Sequence, residues 1–401
     1  LDLCVKVLGT HLGDSLPADQ LAEMFPLDDK STLNGYPGVK FIDKINRDTS
    51  MGYPYRKSKR QFLVPVEPDE IYQDAVKYTP EIMQEVAEIR EKYERGERAM
   101  PVFVMSLKDT ATEQAKILAQ KTRGFMGGPA AWQFVVRQNL LTFVRVFQNN
   151  SQLFMGAPGL NCKSCNWKHL YEFLTKFGLD QMVAGDYAKF DKRMEAVIIL
   201  AAYEVIKVVL KKAGWTEEQL KIISCIAEDT AYPVTDVQGD FVMFNGSNPS
   251  GNALTVILNC IVNVLYLMYT YFQLNPEHEV GSFFRYVALM TYGDDNVFGV
   301  SKEIPWFNHT SISANLLKIG VVYTMADKES ESVPYIHIDQ VSFLKRRFVI
   351  DEDKVRCPLE WSSIEKMLTK CVKSDSIGPE AQAIDTIRSA VGEFYEYGPK
   401  V

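Results

Sequence analysis

Tyr286-Val287-Ala288-Leu289-Met290-Thr291-Tyr292-Gly293-Asp294-Asp295-Asn296-Val297-Phe298-Gly299-Val300 is the stretch that decides how this chain reads. Residues 286–290 read as a buried strand and 296–300 as a second. Gly293-Asp294-Asp295 between them is turn chemistry. Two adjacent carboxylates therefore sit at the tip of an apolar hairpin. That is a poor place for negative charge unless a cation sits there too. A second acidic pair lies about a hundred residues earlier, in Gly185-Asp186-Tyr187-Ala188-Lys189-Phe190-Asp191, after the strand-like 181–184. A carboxylate on a hairpin tip and another at the end of a separate strand can share two Mg²⁺ ions. Two metals about 3.5–4 Å apart are the usual apparatus for nucleotidyl transfer. Either motif alone also reads as a solvated turn. The metal reading rests on both together.

Composition sets wide bounds. The chain has 401 residues, 46% hydrophobic and 24% charged, an ordinary globular profile with ample core. No internal repeat, low-complexity tract or secretory signal is evident, and no P-loop motif occurs. Seven cysteines at scattered positions point to a reducing compartment. Cys162-x-x-Cys165 followed by His169 has partial zinc spacing but lacks a fourth ligand, so ordinary side chains are the preferred reading. The apolar run 253–272 is long enough to be weighed as a membrane span. Asn259 and Asn263 lie within it four residues apart, on one helical face, which favours a buried core helix with a polar stripe. The net charge of −7 looks wrong for a nucleic-acid enzyme, but charges cluster. Basic clusters occur at Arg56-Lys57-Ser58-Lys59-Arg60, which alone reads as a solvated face, and at Lys345-Arg346-Arg347. Lys108, Lys116, Lys121 and Arg123 form a looser one.

Helices are expected at 68–95, 130–147, 194–213, 216–230 and 307–319, and in most of the tail after 358. Strands are expected at 102–105, 321–323 and 341–348. A hairpin is expected from 232–235 and 241–244, and a polar loop, 245–252, feeds the long apolar helix. Helices on a mixed but largely antiparallel sheet give an α+β class.

Taken in order, the motifs resemble those of the RNA-dependent RNA polymerases of picorna-like positive-strand RNA viruses. Thr49-Ser50-Met51-Gly52-Tyr53-Pro54-Tyr55 resembles that family's finger motif at the template entrance. Lys108-Asp109 through Lys121-Thr122-Arg123 resembles the basic motif over the incoming triphosphate. Asp186 to Asp191 resembles the first palm aspartate motif. Asn248-Pro249-Ser250-Gly251, with Thr255 and Asn259, resembles the nucleotide-selecting loop and helix, and Tyr292 to Asp295 the catalytic hairpin. Asp327-Lys328 stands where the family keeps a proton-donating lysine. Phe343-Leu344-Lys345-Arg346 resembles the primer-grip strand. Thr110 departs from the family's usual Glu, the segment before Thr49 is short, and the chain starts at Leu1, as a processed polyprotein product or a cut fragment would.

The resemblance implies a right hand: fingers at 1–150, palm at 151–193 and 236–349, a fingers–palm insertion at 194–235, and a thumb at 350–401. It implies template and primer RNA, NTPs, two Mg²⁺ ions with Mn²⁺ as a substitute, a genome-linked protein primer and other viral replication proteins as partners. It also implies membrane-associated replication complexes in the host cytoplasm, with no transmembrane segment in this chain. Asp186, Asp294 and Asp295 are then the metal ligands. Lys108, Lys121 and Arg123 offset the triphosphate charge, and Lys328 is a general acid for pyrophosphate. Asp191, Ser250 and Asn259 would sense the ribose hydroxyl. A reverse transcriptase also carries Asp-Asp on a hairpin, but usually has a bulky aromatic where Asp191 stands here. A non-catalytic RNA-binding scaffold would be expected to have lost a carboxylate, and none is missing.

Overall fold

The apolar runs flanking Gly293 do pair. Val287–Tyr292 and Asp295–Val300 form an antiparallel hairpin whose register runs from Val287 opposite Val300 to Tyr292 opposite Asp295. Gly293 takes φ +64° in its two-residue turn, a conformation that costs glycine nothing. The computed structural model describes residues 1–108, 110, 112–371 and 377–398. Asp109 of the expected basic motif lies outside the described residues. The chain divides into two units.

One unit comprises Leu107–Gly124, Leu160–Ala188 and Thr270–Val401. Its sheet is antiparallel, in the order Tyr323–Met325, Met182–Tyr187, Asp295–Val300, Val287–Tyr292. All six residues of Met182–Tyr187 are buried, which explains their lack of polar alternation. Gly185 is required by a close approach: a Cβ there would overlap the Tyr323 ring and hydroxyl. That hydroxyl donates to Asn296 Oδ1 at 2.6 Å, tying the edge strand to the hairpin. The helix His309–Leu317 begins with Asn308 and Ser311 in a reciprocal cap. The tail carries the helices Trp361–Thr369 and Pro379–Phe394.

The other unit comprises Leu1–Ser106, Phe125–Gly159 and Lys189–Tyr269. Its helices include Asp2–Ser15, Pro80–Glu94, Ala130–Asn149, Ala196–Lys212 and Glu217–Ala231. Val102–Leu107 pairs in parallel with Val234–Val237, which turns back through Gln238-Gly239 onto Asp240–Met243. Asp229 is wholly buried but fully engaged. It accepts from Tyr93 Oη at 2.8 Å, Arg98 Nε at 2.9 Å and Ala99 N at 3.0 Å, as a buried charge must.

The long apolar helix is Thr255–Leu274, and it is the one described helix long and apolar enough to cross a bilayer. Its most apolar window is 78% buried, and Asn259 and Asn263 are buried within it. This is the core-helix arrangement.

Three expectations are corrected. Residues 68–95 are not one helix: Val76–Tyr78 is a short strand, and the helix starts at Pro80, where proline's missing N–H costs nothing. The strand expected at 321–323 starts only at Tyr323. Residues 341–348 are not a strand. Leu344 and Lys345 both take positive φ, +54° and +59°, and Phe343 and Arg346 exchange backbone hydrogen bonds at 2.9 and 3.0 Å. The segment is a tight two-residue turn.

Candidate active site

The sheet register brings Asp186 to the Asp294-Asp295 hairpin. Gly185 pairs with Asn296, and one step further along lie Asp186 and Asp295. On the other side Thr324 pairs with Asp186. The chain leaving Tyr323–Met325 then turns at once, with Lys328 N donating to Met325 O at 2.9 Å. Lys328 takes φ +65°. This turn carries its Nζ to 2.6 Å from Asp186 Oδ2. Asp186 is 4% exposed, and its Oδ1 accepts from the Tyr187 N–H at 2.6 Å. Three carboxylates and one ammonium are thus gathered by two strand pairings and two turns.

The electrostatics show an excess of negative charge. Burial, followed by the charges of Asp186 and Asp294, pushes the Asp295 carboxyl up to about 7, against the opposing pull of Lys328 and Lys345. Burial works to lower the Lys328 ammonium. The hydrogen bond to Asp186 and the three carboxylate charges outweigh it, and the net direction is up. Lys345, exposed in the tight turn at 343–346, contributes part of the opposing pull on Asp295.

A stability consequence follows for Asp295. Its folded-state pKa lies above the unfolded value of about 3.9. Its contribution is therefore fully present below about pH 3.9 and lost as pH rises through about 7. In EDTA at pH 8, Asp295→Asn should unfold at a higher temperature than the parent, by roughly 1–3 kcal/mol of stability. The gap should narrow below pH 7 and close only towards pH 4. A gap independent of pH would show that the carboxyl is not strained by its neighbours.

The other expected residues fall into place unevenly. Lys108, Lys121 and Arg123 are exposed, and Lys108 N donates to Arg123 O at 2.8 Å, so the two ends of the basic segment meet. In the 343–346 turn, Leu344 is half-buried and Lys345 exposed. Phe343 is 1% exposed, a core anchor. Arg346 is not available to RNA as expected: its guanidinium donates to Glu393 at 2.7 and 3.0 Å and to the Cys357 carbonyl at 2.8 Å. Of the partial zinc spacing, Cys165 is exposed and Cys162 is half-buried beside Cys357.

In the other unit, Asn259 Nδ2 donates to Asp191 Oδ1 at 2.6 Å. Asn248 Nδ2 donates in turn to Asn259 Oδ1 at 2.8 Å. Asn248 is 1% exposed and its Oδ1 has no hydrogen-bond partner among the described residues. Asn248 has no individual role in the sequence pattern, since a polar loop residue carries no local sign of such a chain. Thr255 Oγ1 donates to Pro249 O at 2.7 Å and Asn252 O at 2.8 Å, tying the loop to the helix start. Ser250 Oγ accepts from Met126 N at 3.2 Å.

The same unit holds a cavity of about 920 Å³ lined by Thr49, Ser50, Gly52, Arg56, Lys59 and Arg137, among others. Arg56 pairs with the buried Asp236. Lys59 Nζ donates to Ser50 O at 3.0 Å, and burial and then Arg137 lower its pKa. The 56–60 cluster is therefore not simply the solvated face that its composition suggested. Ser58 caps a short helical turn that sends Lys59 inward. Tyr53 packs edge-on against Phe241, with centroids 5.8 Å apart.

A buried acidic strand end, an Asp-Asp hairpin and an adjacent lysine thus lie together on one antiparallel sheet. Residues 11–384 match the profile of the viral RNA-dependent RNA polymerases, and the chain belongs to that family. It is similar to the replicase polyprotein of Drosophila C virus, 29% identical over 388 residues covering 92% of this chain and 22% of that protein. It is also similar to the RNA1 polyprotein of Cowpea mosaic virus, 27% identical over 404 residues, 92% and 20%. The chain thus spans about a fifth of the curated relatives it matches, which come from picorna-like viruses. Among solved structures, the Sicinivirus 3Dpol RNA dependent RNA polymerase superposes with a TM-score of 0.76 at 19% identity, covering 98% of this chain and 80% of that one. The fold is therefore the α+β right-hand polymerase fold.

Proposed function

We propose that the chain copies an RNA template by adding nucleoside triphosphates to the 3′ end of an RNA or protein-linked primer. The gathering of Asp186, Asp294 and Asp295 beside Lys328 carries this reading. The donor set is hard oxygen, the kind Mg²⁺ or Mn²⁺ prefers: Asp186, Asp294 and Asp295, the last with its carboxyl pushed up to about 7 by burial and then by the charges of the other two. No all-protein cage is needed, because Mg²⁺ is usually bound by one or two carboxylates plus substrate phosphates. Two such ions would acidify the primer hydroxyl and stabilise the leaving pyrophosphate.

The remaining roles belong to the chain's own groups. Lys328 holds a proton beside the carboxylates and can deliver it to the departing pyrophosphate. Lys108, Lys121 and Arg123 supply exposed positive charge for the triphosphate. Thr49, Ser50 and Gly52, with Arg56 and Lys59, line a cavity suited to a nucleic-acid backbone. The reading extends to membrane-associated replication complexes as the place of action, which fractionation of infected cells checks.

Asp191, Asn259 and Asn248 form a hydrogen-bonded chain, and we assign it the ribose 2′-hydroxyl. A site built to bond a hydroxyl rejects the analogue lacking it, because its own polar groups are left unpaired. Asp191→Ala and Asn259→Ala should depress NTP use far more than dNTP use, narrowing the NTP/dNTP ratio by roughly tenfold or more. Equal losses on both would reduce these residues to fold support.

The decisive experiment is incorporation of labelled NTP on a primed homopolymer, with Mg²⁺ present or chelated, and NTP compared with dNTP. Template- and Mg²⁺-dependent NTP addition supports the reading. Preference for dNTP, or no incorporation at all, overturns it.

A further inference from the structure

We propose that Cys162 and Cys357 form a peroxide-responsive dithiol, in which Cys162 attacks the oxidant and Cys357 resolves the product into a disulfide. The two lie 195 residues apart in sequence, outside the carboxylate site, and their side chains lie beside one another. Cys162 precedes the helix Cys165–Leu174, and Cys357 follows the strand Lys354–Arg356. All seven cysteines are reduced.

The surroundings divide the roles. Cys357 is 0% exposed. Cys162 is half-buried and lines a cavity of about 380 Å³ with Lys163, Lys168 and Arg356, so a small oxidant can reach it. Arg346 Nη1 stands 3.8 Å from Cys357 Sγ. Arg346 and Lys163 both pair with Glu393, at 2.7 and 2.8 Å, and Glu396 accepts from Cys357 N at 3.2 Å. The hydrogen bond from Cys357 lowers the Cys162 thiol well below the usual range. Burial and Glu393 oppose this, while Arg346 and Lys163 reinforce it. The same bond, then burial, raises Cys357. Cys162, half-buried and open to the cavity, is thus the sulfur an oxidant meets first, and the wholly buried Cys357 stands as its resolving partner.

The chemistry balances. The Cys162 thiolate attacks one oxygen of hydrogen peroxide and the O–O bond breaks. Hydroxide leaves and is protonated to water, and Cys162 becomes a sulfenic acid. Cys357 then gives up its proton and attacks the Cys162 sulfur. The S–S bond forms as the S–O bond breaks, and a second water leaves. The two thiols together lose two electrons, and the peroxide takes both. In a reducing compartment such a bond would be transient and reversible.

The test uses the full chain. After limited hydrogen peroxide at neutral pH, free thiols are blocked with N-ethylmaleimide and the digest is read by mass spectrometry. The expected result is a dithiothreitol-reversible Cys162–Cys357 peptide pair, formed before the exposed Cys165 and Cys371 are oxidised. Cys357→Ser should stop at a Cys162 sulfenic acid trapped by dimedone. A second measurement needs no variant. Between pH 6.5 and 8, iodoacetamide alkylation of Cys162 should change by less than about threefold, where an ordinary thiol's rises more than about tenfold. Absence of the linked pair, or an ordinary pH profile at Cys162, overturns the proposal.

Discussion

Asp186→Ala and Asp294→Ala should each abolish nucleotide incorporation, by at least about 10³-fold, while the protein stays folded. The size follows from the several kcal/mol of charge stabilisation that a correctly held metal supplies to the transition state. Survival of the fold follows from the geometry. Asp186 closes no structural network of its own: its carboxylate meets Lys328 and its neighbour's N–H. The Lys328 side chain is 61% exposed, so losing its partner leaves it solvated rather than stranded. Asp294 sits in the two-residue turn, where alanine removes charge from a crowded acidic tip. Parallel measurements of primer extension and thermal unfolding separate the two effects. Near-normal extension by Asp186→Ala would sink the two-metal assignment, and an unfolded variant would show that this carboxylate is structural.

Lys328→Leu should lower the turnover rate by about 10²-fold, the usual scale for losing a general acid, with little change in apparent NTP affinity. The ammonium's proton is firmly held by Asp186 and the two hairpin carboxylates. Its release therefore depends on those charges being met by something else during the reaction. Lys328→Arg separates charge from proton transfer, because a guanidinium keeps the positive charge but does not give up its proton. If Arg restored the rate, or if the Leu variant lost only NTP affinity, Lys328 would be a charge clamp. Single-turnover kinetics at saturating NTP reads the difference.

The hairpin and the buried Asp186 strand were legible because apolar runs bounded by Gly-Asp turns carry their own punctuation. What brings Lys328 to Asp186 was not, since it depends on the pairing of Thr324 with Asp186 and on a left-handed lysine. Residues 341–348 misread for a related reason. Val341, Phe343 and Phe348 are buried, and an apolar–polar alternation reads as a strand whether or not the backbone reverses within it. Leu344 and Lys345 are poor sequence markers of a positive φ. Arg346 read as a nucleic-acid contact because Glu393, 47 residues on, is invisible in a local charge run. The helix expected over 68–95 overran its start, although Pro80 marks the first turn.

Gly185 and Tyr323 are locked together, because the ring occupies the space that any side chain at 185 would need. A gene copied with errors samples every neighbouring codon, yet at this position no replacement by a larger residue is available on its own. Escape requires a second change that shrinks position 323, and with it the tether to Asn296 that holds the hairpin beside Asp186. Across diverging lineages the two positions should therefore drift as a pair or not at all. The acidic centre inherits its rigidity from a residue that has no side chain.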